Sequence, residues 1–155
     1  GNLTPKRWRK KEHTFFMIGI DASGKTTILY HLLQGEIPWI LPTTGFNFET
    51  ISLKNTKLNI WDVGGGGSRM RDIYHHYYEG MNGAIMVIDS SDIERIEDSK
   101  EVFLSMIASK ELYHTVPILI FANKQDIVES LTVEEIKEQL EIEKIDRPIK
   151  VQGCC

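Results

Sequence analysis

The chain has 155 residues, of which 41% are hydrophobic, and this length suits one domain with a well-buried core and excludes two ordinary domains. Its apolar runs are shorter than the roughly 20 residues that a membrane-spanning helix requires. The formal net charge is −4, but five of the 18 Lys and Arg residues lie in the first eleven positions, so the remainder carries 13 basic and 22 acidic side chains and a charge of −9. An acidic body without basic stripes argues against a nucleic-acid-binding domain, so no nucleic-acid partner is expected.

The basic residues define a leader, residues 1–12, that precedes a domain over residues 13–155. The leader is either a solvated segment or a segment that binds anionic lipid. In the second case Trp8 would add an apolar contact with the membrane. The only cysteines, Cys154 and Cys155, are adjacent, so neither a disulfide framework nor a metal site with separated ligand pairs is available. A reducing, cytoplasmic compartment is therefore expected.

The hydrophobic pattern predicts strands that alternate with helices. Residues 13–18 form an apolar strand that ends at Gly19, and residues 46–53 and 57–63 alternate apolar and polar residues as a hairpin does. Further apolar strands are predicted at residues 83–89, 116–122 and 149–151, and helices at residues 25–34, 71–79, 94–110 and 133–140. Two helices have clear apolar faces, formed by Ile28, Leu29, Leu32 and Leu33 in the first and by Ile96, Val102, Phe103, Met106 and Ile107 in the helix over 94–110. This pattern predicts an α/β fold with a mainly parallel six-stranded sheet that helices cover on both faces, and a ligand site beyond the carboxyl ends of the strands.

A phosphate-binding motif lies between the first strand and the first helix. Residues 19–26 read Gly-Ile-Asp-Ala-Ser-Gly-Lys-Thr and match G-x-x-x-x-G-K-[ST]. Its glycines allow backbone N–H groups to surround phosphate oxygens, Lys25 adds a positive charge, and the Thr26 hydroxyl suits Mg²⁺. The predicted phosphate-binding residues are Asp21, Ala22, Ser23, Gly24, Lys25, Thr26 and Thr27.

A second motif indicates which base is bound. Residues 123–126 read Asn-Lys-Gln-Asp after an apolar strand, and they match N-K-x-D, with Asn123, Lys124 and Asp126 as the predicted guanine-binding residues. The Asp126 carboxylate can accept from the N1–H and N2–H₂ donors of guanine, whereas adenine has no such donor pair. The phosphate motif alone would also suit an ATPase or a small-molecule kinase, and the second motif favours a guanine nucleotide.

The chain resembles Arf and Arf-like GTPases over nearly its whole length. The similar segments are residues 19–30 (GIDASGKTTILY), 41–50 (LPTTGFNFET), 61–65 (WDVGG) and 121–126 (FANKQD). The P-T-x-G-F-N and W-D-V-G-G forms separate Arf-like proteins from Ras-like and Rab-like ones. The resemblance implies a P-loop NTPase fold of the small G protein type with an interswitch hairpin, GTP or GDP with Mg²⁺ as ligands, and exchange factors, activating proteins and effectors as partners.

The resemblance also assigns roles to individual residues. Thr43 would reach Mg²⁺ and the γ-phosphate only in the GTP state, Asp62 would hold Mg²⁺ through water, and the Gly65 N–H would contact the γ-phosphate. Loss of that phosphate removes the contacts that order both loops. The aromatic residues that match the family's effector-docking trio are Phe46, Trp61 and Tyr77; the alternative is that they are partly buried core aromatics.

The chain departs from the family at the catalytic glutamine. That glutamine orients the attacking water, and its position here is Gly66 or Gly67. No catalytic residue is therefore assigned, and weak intrinsic GTP hydrolysis is expected. Ser68, His75 or His76 are the alternatives for this role, against a solvated surface position for each.

The two ends of the chain differ from the family as well. Gly1 stands where the family carries an N-myristoylated glycine, but Pro5 replaces the Ser or Thr of the acylation motif, so lipidation and a free amine both remain open. Residues 151–155 are similar to the strand before the family's T-C-A or S-C-A loop and stop ahead of its alanine and final helix. The expectation is a fragment, or a second subunit that covers the gap.

Two functional hypotheses follow from these features. The first is a GTP/GDP switch in vesicle, membrane or ciliary trafficking, peripheral on a Golgi, endosomal or ciliary membrane, with slow hydrolysis. The second is a non-cycling pseudo-GTPase whose bound nucleotide stabilises a larger complex.

Overall fold

The computed structural model describes residues 10–34, 45–64, 76 and 78–155. The strands are β1 (Lys11–Ile18), β2 (Phe46–Ser52), β3 (Thr56–Val63), β4 (Gly83–Asp89), β5 (Ile118–Asn123) and β6 (Ile149–Gly153). The helices are α1 (Lys25–Gln34), α2 (Ile96–Ala108) and α3 (Val133–Gln139), with 3₁₀ helices at Ile93–Arg95 and Ile142–Lys144. Apart from His76, Tyr78 and Glu79, the helix predicted over 71–79 lies outside the described residues.

The strands form one six-stranded sheet in the order β2-β3-β1-β4-β5-β6. Strand β2 is antiparallel to β3, and every other pair is parallel. The hairpin predicted between β2 and β3 is confirmed, closed by a hydrogen bond from Leu53 N to Thr56 O at 2.8 Å. Because the strand order reverses on either side of β1, the loop after β1 lies at the switch point where such sheets bind ligands.

Successive side chains along β1 point to opposite faces of the sheet, and each face has its own hydrophobic core. Phe16 and Ile18 of β1 pack with Val102 and Phe103 of α2 in one cluster, whereas Met17 belongs to a second cluster with Leu29 of α1. Successive strand residues point to opposite faces, so a single strand supplies both cores. The predicted fold with helices on both faces is therefore confirmed. In the described part of the chain, none of the helices combines the length and apolar character that crossing a bilayer demands.

The helix predicted over 94–110 begins and ends at different residues in the structure. It starts as the 3₁₀ turn Ile93–Arg95, where the Asp92 carboxylate accepts from the Arg95 N–H, and it stops at Ala108 because Ser109 is extended, with φ −68 and ψ 130. Of its predicted apolar face, Val102, Phe103 and Met106 are buried, and Ile96 and Ile107 are partly buried. The 3₁₀ turn brings Arg95 toward the carboxyl ends of the strands, where the ligand site is predicted.

The prediction that Leu32 belongs to the buried face of α1 is wrong. Leu29 is fully buried, and Ile28 and Leu33 pack partly against the same cluster, but Leu32 is 52% exposed. Leu32 lies on a side of α1 that no other described element covers. Apolar spacing alone cannot indicate where the covering layer ends.

The two leucines of α1 give a matched test of this packing. Leu29→Ala should lower the free energy of unfolding by about 2–5 kcal/mol, because it removes buried methyl groups and leaves a cavity. Leu32→Ala should change it by no more than about 0.5 kcal/mol. Urea denaturation followed by tryptophan fluorescence measures both, and equal losses would show that α1 does not pack as described.

Candidate functional site

The phosphate loop, residues 19–24, connects β1 to α1 through a tightly turned backbone. Ala22 and Gly24 have positive φ angles of 59° and 96°, and helix α1 begins with the hydrogen bond from Ile28 N to Gly24 O at 2.9 Å. A Cβ at Gly24 would lie 2.3 Å from Asn123 Nδ2, and a Cβ at Gly19 would lie 2.3 Å from Val87 O. Gly19 is thus required by close packing against the backbone of β4, and Gly24 by its positive φ and the nearby side chain of Asn123.

Lys25 lies inside this loop with its ammonium group buried. Its Nζ donates to Gly19 O at 2.9 Å and to Ile20 O at 2.8 Å, and the residue is only 5% exposed. Burial lowers the pKa of Lys25 to about 8, although the charges of Asp62 and Asp21 act in the opposite direction. The side chain is therefore largely protonated at neutral pH, a buried cation enclosed by a loop whose amides suit phosphate.

Thr26 and Asp62 meet beside Lys25. The Thr26 hydroxyl donates to Asp62 Oδ2 at 2.6 Å, whereas Asp62 Oδ1 is buried without a hydrogen-bond partner among the described residues. Burial raises the pKa of Asp62, and the hydrogen bond from Thr26 and the charge of Lys25 oppose that change. A hydroxyl and a carboxylate with an unsatisfied oxygen are the donor set that Mg²⁺ prefers, so these residues fit the metal that the motif implies.

The predicted base-reading residues hold the phosphate loop from outside. Asn123 Nδ2 donates to Ser23 O at 2.9 Å, and Lys124 Nζ donates to Ala22 O at 3.1 Å. Lys124 has a positive φ of 64°, a conformation uncommon outside glycine and often found at functional sites. The structure therefore brings the two sequence motifs into direct contact.

Asp126 follows these residues and is exposed, so its carboxylate is accessible to a ligand. The preceding residue, Gln125, anchors the segment: its Nε2 donates to Ser90 Oγ at 2.9 Å and to Leu131 O at 2.8 Å. Its backbone N–H also donates to Cys154 O at 3.0 Å. Three separate segments of the chain thus position the backbone that carries Asp126.

Sequence reasoning missed Asp89, Arg95 and Gln125. Asp89 Oδ2 accepts from Lys124 Nζ at 2.5 Å; burial alone would raise the pKa of Asp89, but hydrogen bonds from Lys124 and Ser91 outweigh it and lower that pKa. One signal existed for Asp89, since a carboxylate ended an apolar strand. Arg95 and Gln125 had none, because Asp21 and Ser90, the partners that tie them to the site, are distant in sequence.

Two of the three aromatic residues predicted to dock effectors, Phe46 and Trp61, form a cluster on the hairpin together with Phe48, which sequence reasoning missed. Rings of Phe46 and Phe48 lie 5.3 and 4.7 Å from that of Trp61, measured between centroids. Phe46 is 50% exposed and Phe48 is 47% exposed, whereas Trp61 is partly buried against the core. The cluster therefore combines an anchored indole with two rings open to solvent.

Several predicted site residues lie outside the described part of the chain. They are Gly1, Thr43, Gly65, Gly66, Gly67, Ser68, His75 and Tyr77. The phosphate loop, its metal-binding candidates Thr26 and Asp62, and the base-reading segment are all described.

Comparisons with known proteins bear on this arrangement. The model of the ADP-ribosylation factor (Arf) family matches residues 3–155. The chain belongs to the Arf family. It is also similar to the Arl6 (BBS3) small GTPase of Trypanosoma brucei, solved with the bound nucleotide analogue GppNp, at 29% identity and a TM-score of 0.83 over 92% of this chain and 86% of that one.

Membership of the Arf family explains why these particular residues converge. An Arf-family small GTPase is a GTP-binding switch, with a guanine nucleotide as ligand and with regulators and effectors as partners. In this Arf-family chain, the contacts of Asn123 and Lys124 with residues 22 and 23 join the phosphate motif to the base motif.

The close approach at Gly24 gives a direct test of that junction. Gly24→Ala should force Asn123 away from Ser23 O, because the new methyl group would overlap Nδ2. The loss should accelerate dissociation of fluorescent GDP by about tenfold or more. Stopped-flow fluorescence with excess unlabelled GDP measures the rate.

Gly80→Ala is the control for this substitution. Gly80 also has a positive φ, of 75°, but a Cβ there would meet nothing within 4 Å. This variant should lose some stability from backbone strain and release GDP at the wild-type rate. An equal increase in both variants would attribute the effect to strain and not to the contact with Asn123.

Proposed function

We propose that this protein is an Arf-like GTP/GDP switch that binds its nucleotide with Mg²⁺ and hydrolyses GTP slowly. The observation that carries this proposal is the direct bracing of the phosphate loop by Asn123 and Lys124. The bracing holds the segment that carries Asp126, the proposed guanine-reading carboxylate, next to the phosphate loop. A single ligand that contains both a polyphosphate and a purine would satisfy both parts of the site.

Thr26 would hold the metal directly and Asp62 through water, together with Thr43 in the GTP state. The unsatisfied Asp62 Oδ1 supports this assignment, since buried carboxylate oxygens normally have a partner. When bound, Mg²⁺ neutralises negative charge on the phosphate oxygens. Lys25 contributes a second positive charge from inside the loop.

The hairpin of β2 and β3 supports a mechanical link between the two proposed switch segments. Gly64 N donates to Gly45 O at 2.8 Å, so these two residues, which are close in sequence to Thr43 and Gly65, lie side by side. A γ-phosphate contacted by both segments would therefore act on one edge of the sheet. The exposed aromatic cluster on the same hairpin is suited to report that change to an effector.

We further propose a role in vesicle, membrane or ciliary trafficking, with the protein cytoplasmic and peripheral on an intracellular membrane. The basic leader supports this role, because clustered Lys and Arg residues are attracted to anionic lipid. One acyl chain on Gly1 would bind a membrane only marginally, so the basic residues would serve as a second signal.

Guanine recognition is tested by competition binding with GDP and ADP in the presence of Mg²⁺. Wild-type protein should prefer GDP, and Asp126→Asn should weaken GDP binding about tenfold to a hundredfold, because the guanine donors lose a charged acceptor. Asp146→Asn removes an exposed carboxylate from the segment before β6, at the end of the strands opposite to Asp126, and should keep the preference. Wild-type protein that shows no affinity for GDP, or a preference for ADP, would refute the proposed function.

A second candidate function is a non-cycling pseudo-GTPase in which the nucleotide is structural. The observation that favours it is glycine at both positions where the water-orienting glutamine could stand, Gly66 and Gly67. The intact Lys25, Thr26, Thr43 and Asp126 favour the cycling switch.

Single-turnover GTP hydrolysis separates these two candidates. Wild-type protein should be slow, and either Gly66→Gln or Gly67→Gln should raise the rate by about tenfold or more, because glutamine orients the attacking water. Asn55→Gln, in the exposed turn between β2 and β3, is the control and should leave the rate unchanged. Bound nucleotide that neither exchanges nor hydrolyses in any of these variants would support the structural role instead.

A further inference from the structure

Three consecutive residues of the phosphate loop are each held by a donor from elsewhere in the chain. Ser23 O accepts from Asn123 and Ala22 O from Lys124, both at the end of β5. The third contact comes from another segment: Arg95 Nη1 donates to Asp21 Oδ1 at 2.9 Å. The first two contacts belong to the motif already described, and the third involves an arginine from the 3₁₀ turn before α2.

Arg95 is preorganised for this contact by Asp92. Its Nε donates to Asp92 Oδ2 at 2.7 Å, and its backbone N–H donates to Asp92 Oδ1 at 3.3 Å. The guanidinium therefore bridges two carboxylates, one on its own turn and one on the phosphate loop. A planar guanidinium with several fixed donors suits such a bridge better than a lysine ammonium does.

The charge of Asp21 makes this bridge relevant to ligand binding. Asp21 adds a carboxylate to a loop whose function is to attract polyphosphate, and like charges at short range repel. That carboxylate is close enough to Lys25 for its charge to act on the lysine's protonation. Without a counter-charge, Asp21 would offset part of the attraction that Lys25 provides.

We propose that Arg95 is a positioning residue of the nucleotide site, which neutralises Asp21 and holds its side chain outward so that the phosphate loop receives a polyphosphate. The inference rests on the proposed function, because it concerns the same ligand. Arg95 itself does not contact the nucleotide in this role. Asp92 supports this role of Arg95, because its hydrogen bonds hold the Arg95 guanidinium in place.

A double-mutant cycle tests the proposal through the dissociation rate of fluorescent GDP with Mg²⁺. Arg95→Ala should accelerate dissociation by about threefold, the size expected for a partly exposed charge pair. In an Asp21→Asn background, the same Arg95→Ala change should alter the rate by less than about twofold, because no carboxylate is left to neutralise. Arg95→Lys should fall between wild type and Arg95→Ala.

Two further measurements test whether Arg95 has a purely structural role. They are the salt dependence of GDP dissociation and the thermal stability of each variant. The effect of Arg95→Ala should shrink as ionic strength rises, since partly exposed charges are screened. Thermal unfolding of every variant shows whether the fold is kept, and GDP should stay preferred over ADP because Asp126 is unchanged. The proposal is overturned if Arg95→Ala has no effect, or has the same effect with Asp21 and with asparagine, while wild-type protein still binds GDP. Absence of GDP binding by wild-type protein would instead refute the proposed function.

Discussion

A phosphate-binding loop has little side-chain packing of its own, so its shape depends on hydrogen bonds from neighbouring segments. In this protein the central one is the bond from Asn123 Nδ2 to Ser23 O, made at the end of β5. Lys124 and Arg95 add contacts to the two preceding residues. Because these donors lie at or after the carboxyl ends of β4 and β5, which are neighbouring parallel strands, the sheet positions all of them together. The base-reading segment is thus also a structural support of the phosphate site.

The same site contains charges whose burial is unfavourable without a ligand. Burial acts on both Lys25 and Asp62, lowering the pKa of the lysine and raising that of the carboxylate. Nearby opposite charge compensates only in part, and one oxygen of Asp62 has no partner in the described part of the chain. A ligand that supplies phosphate oxygens to Lys25 and a cation to Asp62 would relieve both costs. Nucleotide binding is therefore expected to stabilise the fold as well as to signal.

The hairpin of β2 and β3 lies at one end of the sheet, with β2 at the edge. Its partly buried Trp61 fixes the position of the exposed Phe46 and Phe48 rings. An edge strand with open aromatic rings suits a partner protein, because backbone and side-chain contacts are both available there. The opposite end of the sheet, at β6, packs instead against α3 and supports the base-reading segment through Cys154.

Local sequence determined the order of strands and helices, the α/β class and both nucleotide motifs, because hydrophobic period and motif spacing are local properties. The residue contacts within the site required the tertiary structure. Asp21 and Arg95 are 74 positions apart, and no periodic pattern relates them. Gln125 occupies the variable position of its motif, yet it joins three segments. Leu32 fits the apolar spacing of α1 and is exposed, since burial depends on which element covers a helix face and not on the helix itself.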